Sequence, residues 1–180
     1  MAMSLAIVVP LRDFSLAKVR LRTHGLDNVT TLARELATNV LEACSPRTTY
    51  VVTESDDVVR FARKLEIAVL RSPESSLNGA VAHAYALLGT QYEQLMVVHG
   101  DLKYPGGLGT FEPTSGVTIV TDDRADGTNV LVVPTGHNFH FQYGPASKAR
   151  HVAEASKLGL ALNLVDNSPW RFDVDEPNDL

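Results

Sequence analysis

The sequence predicts a doubly wound α/β domain, in which a mostly parallel sheet lies between layers of helices. Short, unbroken apolar runs of strand length recur along the chain, as in strands that are buried on both faces of a sheet. Segments with helical spacing of apolar residues separate the first four of these runs. The chain has 180 residues, of which 44% are hydrophobic, so it can form one domain with a sizeable core.

The apolar runs and the helical segments alternate along the chain. Strands are predicted at residues 5–9, 50–52, 67–70, 95–98, 117–120 and 130–133. Helices are predicted at residues 31–44, at 59–63 with Asp56 as the cap, at 79–88 starting from Asn78, and at 146–158 between Pro145 and Gly159. We find no internal repeat and no linker, so residues 1–180 are predicted to form a single domain.

Composition excludes several classes of function. The net charge of −5 argues against a nucleic-acid partner, because such domains normally carry a basic excess. No apolar run approaches the ~20 residues needed to cross a membrane, and the first residues lack the pattern of a signal peptide. The single cysteine, Cys44, is interpreted as a core residue and fits a reducing cytoplasm. The chain stops after Asp179-Leu180, in what resembles a helix start, so we expect the native protein to continue.

Acidic residues follow two of the predicted extended segments. Ligands of doubly wound sheets bind at the carboxyl ends of the strands, which here means after residues 9, 52 and 99 and near Asp173. Asp101 follows one buried strand, and alternation in an extended segment places Asp173 and Asp175 on one face. Mg²⁺ usually takes one or two carboxylates together with substrate phosphates, so we predict a magnesium site. The alternatives are a turn-capping Asp101 and an ordinary acidic turn before Pro177.

Three basic residues, Arg12, Lys18 and Arg20, follow the first strand within one loop. Guanidinium and ammonium groups are the usual protein partners of a triphosphate. The segment is not a P-loop, because the Gly-x-x-x-x-Gly-Lys pattern is absent. The spacing alone is compatible with either of two interpretations, a nucleotide-binding loop or a solvated loop with scattered charges.

Two glycine-containing segments are candidate anion sites or plain turns. The first is Gly127-Thr128-Asn129, which precedes a strand. The second, Gly144-Pro145-Ala146-Ser147, opens a helix, where unpaired N–H groups, a hydroxyl and the positive dipole end would hold an anion. Six histidines are present, but none has a third ligand at metal spacing, so they are interpreted as surface or packing residues.

Taken together, these segments resemble the CofC/FbiD family of guanylyltransferases, which activate a phosphorylated three-carbon acid for deazaflavin coenzyme F-420 biosynthesis. The resemblance covers almost the whole chain. It implies a Rossmann-like three-layer nucleotidyltransferase fold, similar to MobA-type enzymes, with a mostly parallel central sheet. The matching segments lie at residues 16–21, 77–78, 100–102, 127–131, 143–151 and 173–180.

The resemblance also implies roles for individual residues. It makes Asp101 and Asp173 the metal ligands, with Asp175 as a third, and Arg12 and Lys18 part of the catalytic set. It implies that Thr128, Gly144, Ser147 and Arg12 bind the acid, and that Pro10, Leu11, Lys18 and Asn78 lie on the nucleotide side. Two departures border this site: Arg12 stands where the family usually has lysine, and Lys103 follows Asp101-Leu102 where proline is usual.

The predicted activity is therefore Mg²⁺-dependent transfer of GMP from GTP to phosphoenolpyruvate or 2-phospho-L-lactate, with release of pyrophosphate. The expected partners are GTP and a small phosphorylated acid, with no nucleic acid and no membrane. A homodimer is compatible with the sequence. The alternatives are a nucleotidyltransferase for another acceptor, such as a sugar phosphate or molybdopterin, and a protein that binds a nucleotide without turning it over.

Overall fold

One seven-stranded sheet organises the molecule. The computed structural model describes residues 4–16, 28–175 and 179. The strands lie in the order β3-β2-β1-β4-β6-β5-β7, and only β6 runs antiparallel to its neighbours. They are β1 (Leu5–Pro10), β2 (Thr49–Thr53), β3 (Ala68–Arg71), β4 (Gln94–Val98), β5 (Val117–Thr121), β6 (Thr128–Pro134) and β7 (Leu162–Val165). The predicted α/β class with a mostly parallel sheet is confirmed.

In the described part of the chain, four α-helices cover the sheet. They are α1 (Val29–Ala43), α2 (Asp56–Lys64), α3 (Leu77–Leu88) and α4 (Ser147–Lys157), and short 3-10 turns lie at Leu108–Thr110 and Pro169–Arg171. No helix in the described part of the chain is both long and apolar enough to cross a bilayer.

Alternation along the buried strands places the helices on two faces, which gives three layers. Ile7 and Val9 of β1 belong to a core that also contains residues of α1 and α2. Ala6 and Val8 point to the opposite face, where they pack with residues of α3. α4 adds Ala155 to a third cluster beside β5 and β6. Cys44 is fully buried in the first core, where burial raises the pKa of its thiol to about 12, so its assignment as a core residue is confirmed.

Helix starts differ from the sequence predictions by one or two residues. Ser55, not Asp56, caps α2, because its side chain accepts a hydrogen bond from the Val58 N–H. Ser76 caps α3 in the same way, so α3 begins before Asn78. Ala146 has a φ of 57°, in the left-handed region, and α4 therefore begins one residue later than predicted. The edge strand β7 was not predicted, since residues 162–165 are only partly buried.

The carboxyl edge of the sheet gathers the loops that carry the candidate site. β1, β2 and β4 are parallel and end at Pro10, Thr53 and Val98. The antiparallel β6 begins at this same edge with Thr128, and its Asn129 carbonyl accepts the N–H of His99 at 3.1 Å. The reversed strand therefore brings the Gly127-Thr128-Asn129 segment next to the loop that contains Asp101.

Candidate active site

Asp101 and Asp173 meet because their two segments pair as a short antiparallel bridge. Leu102 pairs with Asp173, and the N–H of Val174 donates to the carbonyl of Asp101 at 3.1 Å. The N–H of Lys103 donates to the carbonyl of Phe172 at 2.8 Å. Leu102 is fully buried and Val174 is nearly so, so packing holds both segments. The backbone pairing thus brings the two aspartates next to each other.

Asp175 completes a cluster of three carboxylates. One oxygen each from Asp101, Asp173 and Asp175 lie within 4.8 Å of one another, with the first two residues partly buried and Asp175 exposed. The same-face arrangement predicted for Asp173 and Asp175 is confirmed. Burial, followed by the charges of Asp101 and Asp175, raises the pKa of Asp173 to about 7. Such a set of hard oxygen donors, with one carboxyl reluctant to ionise, fits a divalent cation that would offset the repulsion.

Asn129, named from the sequence only as part of a candidate anion segment or turn, holds Asp173 in a way that was not predicted. Its buried side-chain amide donates to Asp173 Oδ1 at 3.3 Å and to the carbonyls of Trp170 and Arg171 at 3.2 and 3.0 Å. These bonds tie β6 to the segment that carries Asp173, and the bond to Oδ1 lowers the pKa of that carboxyl. The available signal was an asparagine at the start of an otherwise apolar strand.

Pro10 and Leu11, predicted on the nucleotide side, and Arg12, predicted to bind the acid, leave β1 at the same edge. The N–H of Leu11 donates to the carbonyl of Val52 at 3.1 Å, which continues the pairing with β2 past the strand end. Leu11 is buried and Arg12 is exposed. A Cβ at Gly100 would overlap Cδ2 of Leu11, so a larger residue there would displace the Leu11 side chain.

Asp13 anchors the loop after β1 to the loop after β2. Its Oδ1 accepts from the N–H and the hydroxyl of Ser15 at 2.9 and 2.6 Å, and its Oδ2 accepts from the Ser55 hydroxyl at 2.7 Å. These hydrogen bonds lower the pKa of Asp13. Lys18 and Arg20 lie outside the described residues, so their roles stay predictions.

Asn78, predicted on the nucleotide side, hydrogen-bonds to the turn that contains Gly144. Its Nδ2 donates to the carbonyl of Tyr143 at 3.2 Å, and its Oδ1 accepts the N–H of Tyr143 at 2.7 Å. Both ends of the amide therefore contact one peptide segment and join α3 to the residues before α4. A nucleotide contact by Asn78 stays a prediction.

Thr128 and Ser147, predicted to bind the acid, lie side by side. The Ser147 hydroxyl donates to Thr128 Oγ1 at 3.3 Å, and each residue is only 2% exposed. Thr128 Oγ1 also lies 3.1 Å from Nδ1 of His151, which is fully buried. His151, predicted to be a surface or packing residue, thus hydrogen-bonds to a predicted site residue. The four-residue spacing of Ser147 and His151 on one helix was the available signal.

The expectation of unpaired N–H groups at the start of α4 is wrong for three residues. The N–H of Ala146 donates to Asp126 Oδ2 at 3.0 Å, that of Ser147 to the Gly144 carbonyl at 3.1 Å, and that of Lys148 to the Asp126 carbonyl at 3.0 Å. Asp126, on the exposed hairpin between β5 and β6, already supplies a negative charge at this helix end. Gly144, with a φ of 115°, contributes the turn itself.

The segment after Asp101, which contains Gly106, Gly107 and Gly109, forms turns with no α-helix between residues 103 and 116. The Lys103 ammonium donates to the carbonyl of Asp179 at 2.6 Å. The indole N–H of Trp170 donates to the Gly106 carbonyl at 2.9 Å. These bonds attach the loop that follows Asp101 to the terminal segment that carries Asp173.

The chain is similar to known guanylyltransferases over nearly its whole length. The model of the family described as "Guanylyl transferase CofC like" matches residues 5–180. A phosphoenolpyruvate guanylyltransferase of Thermobaculum terrenum is 28% identical over 99% of this chain and 82% of its own. A 2-phospho-L-lactate guanylyltransferase of Methanosphaera stadtmanae is 23% identical over 96% of this chain and 80% of its own. The solved structure of a nucleotidyl transferase from Methanothermobacter thermautotroptrophicus has a TM-score of 0.69 at 14% identity and covers 98% of this chain and 94% of that one. That likeness confirms the Rossmann-like nucleotidyltransferase fold.

Proposed function

The chain belongs to the CofC-like guanylyltransferase family, and on that premise we propose that it transfers GMP from GTP to a small phosphorylated acid. Phosphoenolpyruvate and 2-phospho-L-lactate are the acceptors named for its relatives. The product would serve deazaflavin coenzyme F-420 biosynthesis. The observation that carries the proposal is the carboxylate cluster of Asp101, Asp173 and Asp175 at the carboxyl edge of the sheet.

The reaction joins two anions. A phosphate oxygen of the acid attacks the α-phosphorus of GTP, a new P–O bond forms, and the bond to the β-phosphate oxygen breaks so that pyrophosphate leaves. The protein needs no covalent nucleophile, because alignment and charge stabilisation account for catalysis of this kind. Mg²⁺ held by Asp101 and Asp173 would supply positive charge beside the reacting phosphates.

Residues of this chain would orient each substrate. Arg12 leaves β1 at the active edge, where its guanidinium would bind phosphate oxygens. Lys18 would act with it. The hydroxyl pair of Thr128 and Ser147 would donate a hydrogen bond to the acid, in place of the helix N–H groups that Asp126 and Gly144 already engage. Asn129 would keep Asp173 in position for the cation. A cytoplasmic location agrees with the buried, single Cys44.

The test is a pyrophosphate-release screen of GTP, ATP, CTP and UTP against phosphoenolpyruvate, 2-phospho-L-lactate and 3-phosphoglycerate. We expect release with GTP and one of the first two acids. A sugar phosphate and molybdopterin are added as further acceptors, and turnover only with one of these would reassign the acceptor. Nucleotide binding without release in any combination would indicate a binding protein and contradict the proposal.

A further inference from the structure

The two ring nitrogens of His151 have different hydrogen-bond partners. Nε2 lies 3.0 Å from the backbone N–H of Gln142, and Nδ1 lies 3.1 Å from Thr128 Oγ1. The ring is fully buried and makes an edge contact with Tyr143, at 4.9 Å between ring centroids. Burial, followed by the charge of His99, lowers the pKa of His151 to about 4, so the ring is neutral near pH 7.

The backbone contact decides which nitrogen carries the proton. A peptide N–H can only donate, so Nε2 must offer its lone pair to Gln142. A neutral imidazole has one N–H, which must then lie on Nδ1 and point at Thr128. His151 is therefore a donor to Thr128, and Thr128 Oγ1 is the acceptor.

This tautomer determines how many hydroxyl protons remain. Thr128 Oγ1 accepts from His151 with one lone pair and from the Ser147 hydroxyl with the other, which leaves its own proton to donate. With the opposite tautomer, Thr128 would donate to His151 and Ser147 to Thr128, and neither hydroxyl would have a proton left. Carboxylates and phosphates only accept hydrogen bonds, so this remaining proton suits an anionic ligand.

We propose that His151 is a positioning residue that fixes the hydroxyl protons of Thr128 and Ser147, so that one of them is left to donate to the acid substrate. The inference rests on the proposed function, because it assumes that these hydroxyls meet the acid. The ring itself touches no substrate. Its contribution is to select one of the two possible proton arrangements of the buried hydroxyl pair of Thr128 and Ser147.

Two substitutions separate this role from packing. His151→Asn keeps a donor near the position of Nδ1 and removes the acceptor for Gln142. His151→Gln keeps an acceptor near the position of Nε2 and removes the donor to Thr128. We expect His151→Gln to raise the KM for phosphoenolpyruvate roughly tenfold or more, while the KM for GTP stays within about twofold. His151→Asn should change both constants by less than about threefold.

Equal effects of the two variants on the KM for phosphoenolpyruvate would overturn the inference, as would an unchanged KM in His151→Gln. Nitrogen-15 NMR of the ligand-free wild-type protein gives a second readout, which needs no turnover and no folded variant. We expect a pyrrole-type nitrogen at Nδ1 and a pyridine-type nitrogen at Nε2 of His151, and the reverse pattern would refute the assignment. A wild-type protein that gives the expected NMR pattern but turns over no acid would instead contradict the proposed function.

Discussion

Neutralising Asp173 should stabilise the metal-free protein while abolishing turnover. In the unfolded chain this carboxyl ionises at its ordinary pKa of 3.8, whereas in the folded protein burial and the charges of Asp101 and Asp175 raise the pKa to about 7. Between these values the folded state binds more protons than the unfolded state. The free energy of unfolding therefore falls as the pH rises from about 4 to 7.

The size of the effect follows from the two pKa values. A difference of about 3 units corresponds to a destabilisation of up to about 4 kcal/mol above pH 7. Asp173→Asn has nearly the same shape, and its amide oxygen can still accept from Asn129. The variant should therefore be more stable than wild type by up to about 4 kcal/mol at about pH 8, and by little at about pH 4.

Urea unfolding in the presence of a chelator, at several pH values, measures this difference. Asp123→Asn is the matched control, because it neutralises an exposed carboxylate on the hairpin between β5 and β6. Excess Mg²⁺ should stabilise wild type by mass action and should stabilise Asp173→Asn much less. An Asp173→Asn variant that is less stable than wild type at about pH 8, or whose gain does not change with pH, would refute the electrostatic account.

Three further substitutions test neighbouring parts of the site. Asn129→Ala removes the donor to two carbonyls and to Asp173, so the free energy of unfolding should fall by about 1–3 kcal/mol in urea titrations, and an unchanged value would contradict the contacts described. Gly100→Ala should displace the Leu11 side chain and raise the KM for GTP more than the KM for the acid. Equal changes in the two KM values would contradict the prediction that Leu11 lies on the nucleotide side. Asp126→Asn removes a negative charge from the start of α4, so the KM for the acid should fall by roughly two- to tenfold in steady-state assays, whereas a rise would place the acid elsewhere.

Most of the fold follows from local sequence pattern. The six predicted strands are apolar runs, all but the edge strand β3 largely buried, and the structure contains each of them within two residues. β7 escaped prediction because an edge strand with exposed Leu162 and Leu164 lacks the continuous apolar signal of a central strand. The antiparallel direction of β6 also depends on which strands become neighbours, and periodicity carries no information on that choice.

The site residues that lie at the ends of strands could be predicted from the sequence. Those that act through contacts between distant segments of the chain could not. Asp101 and Asp173 could be placed together because both follow extended segments at one sheet edge. The contacts of Asn129 and His151 were not predicted, because their partners Asp173 and Thr128 lie 44 and 23 residues away in the sequence, respectively. Asp126 was missed because nothing in the sequence indicates that its carboxylate reaches the Ala146 N–H.

The most direct test of the central claim is to follow the guanylylated acid and pyrophosphate together in one reaction. Purified protein is incubated with GTP, Mg²⁺ and phosphoenolpyruvate or 2-phospho-L-lactate, and the products are quantified by mass spectrometry and a pyrophosphate assay. The account predicts equal amounts of the two products with one of these acids, no product when a chelator replaces Mg²⁺, and none with Asp101→Asn. Bound GTP without any guanylylated acid, or the same yield from Asp101→Asn as from wild type, would contradict it.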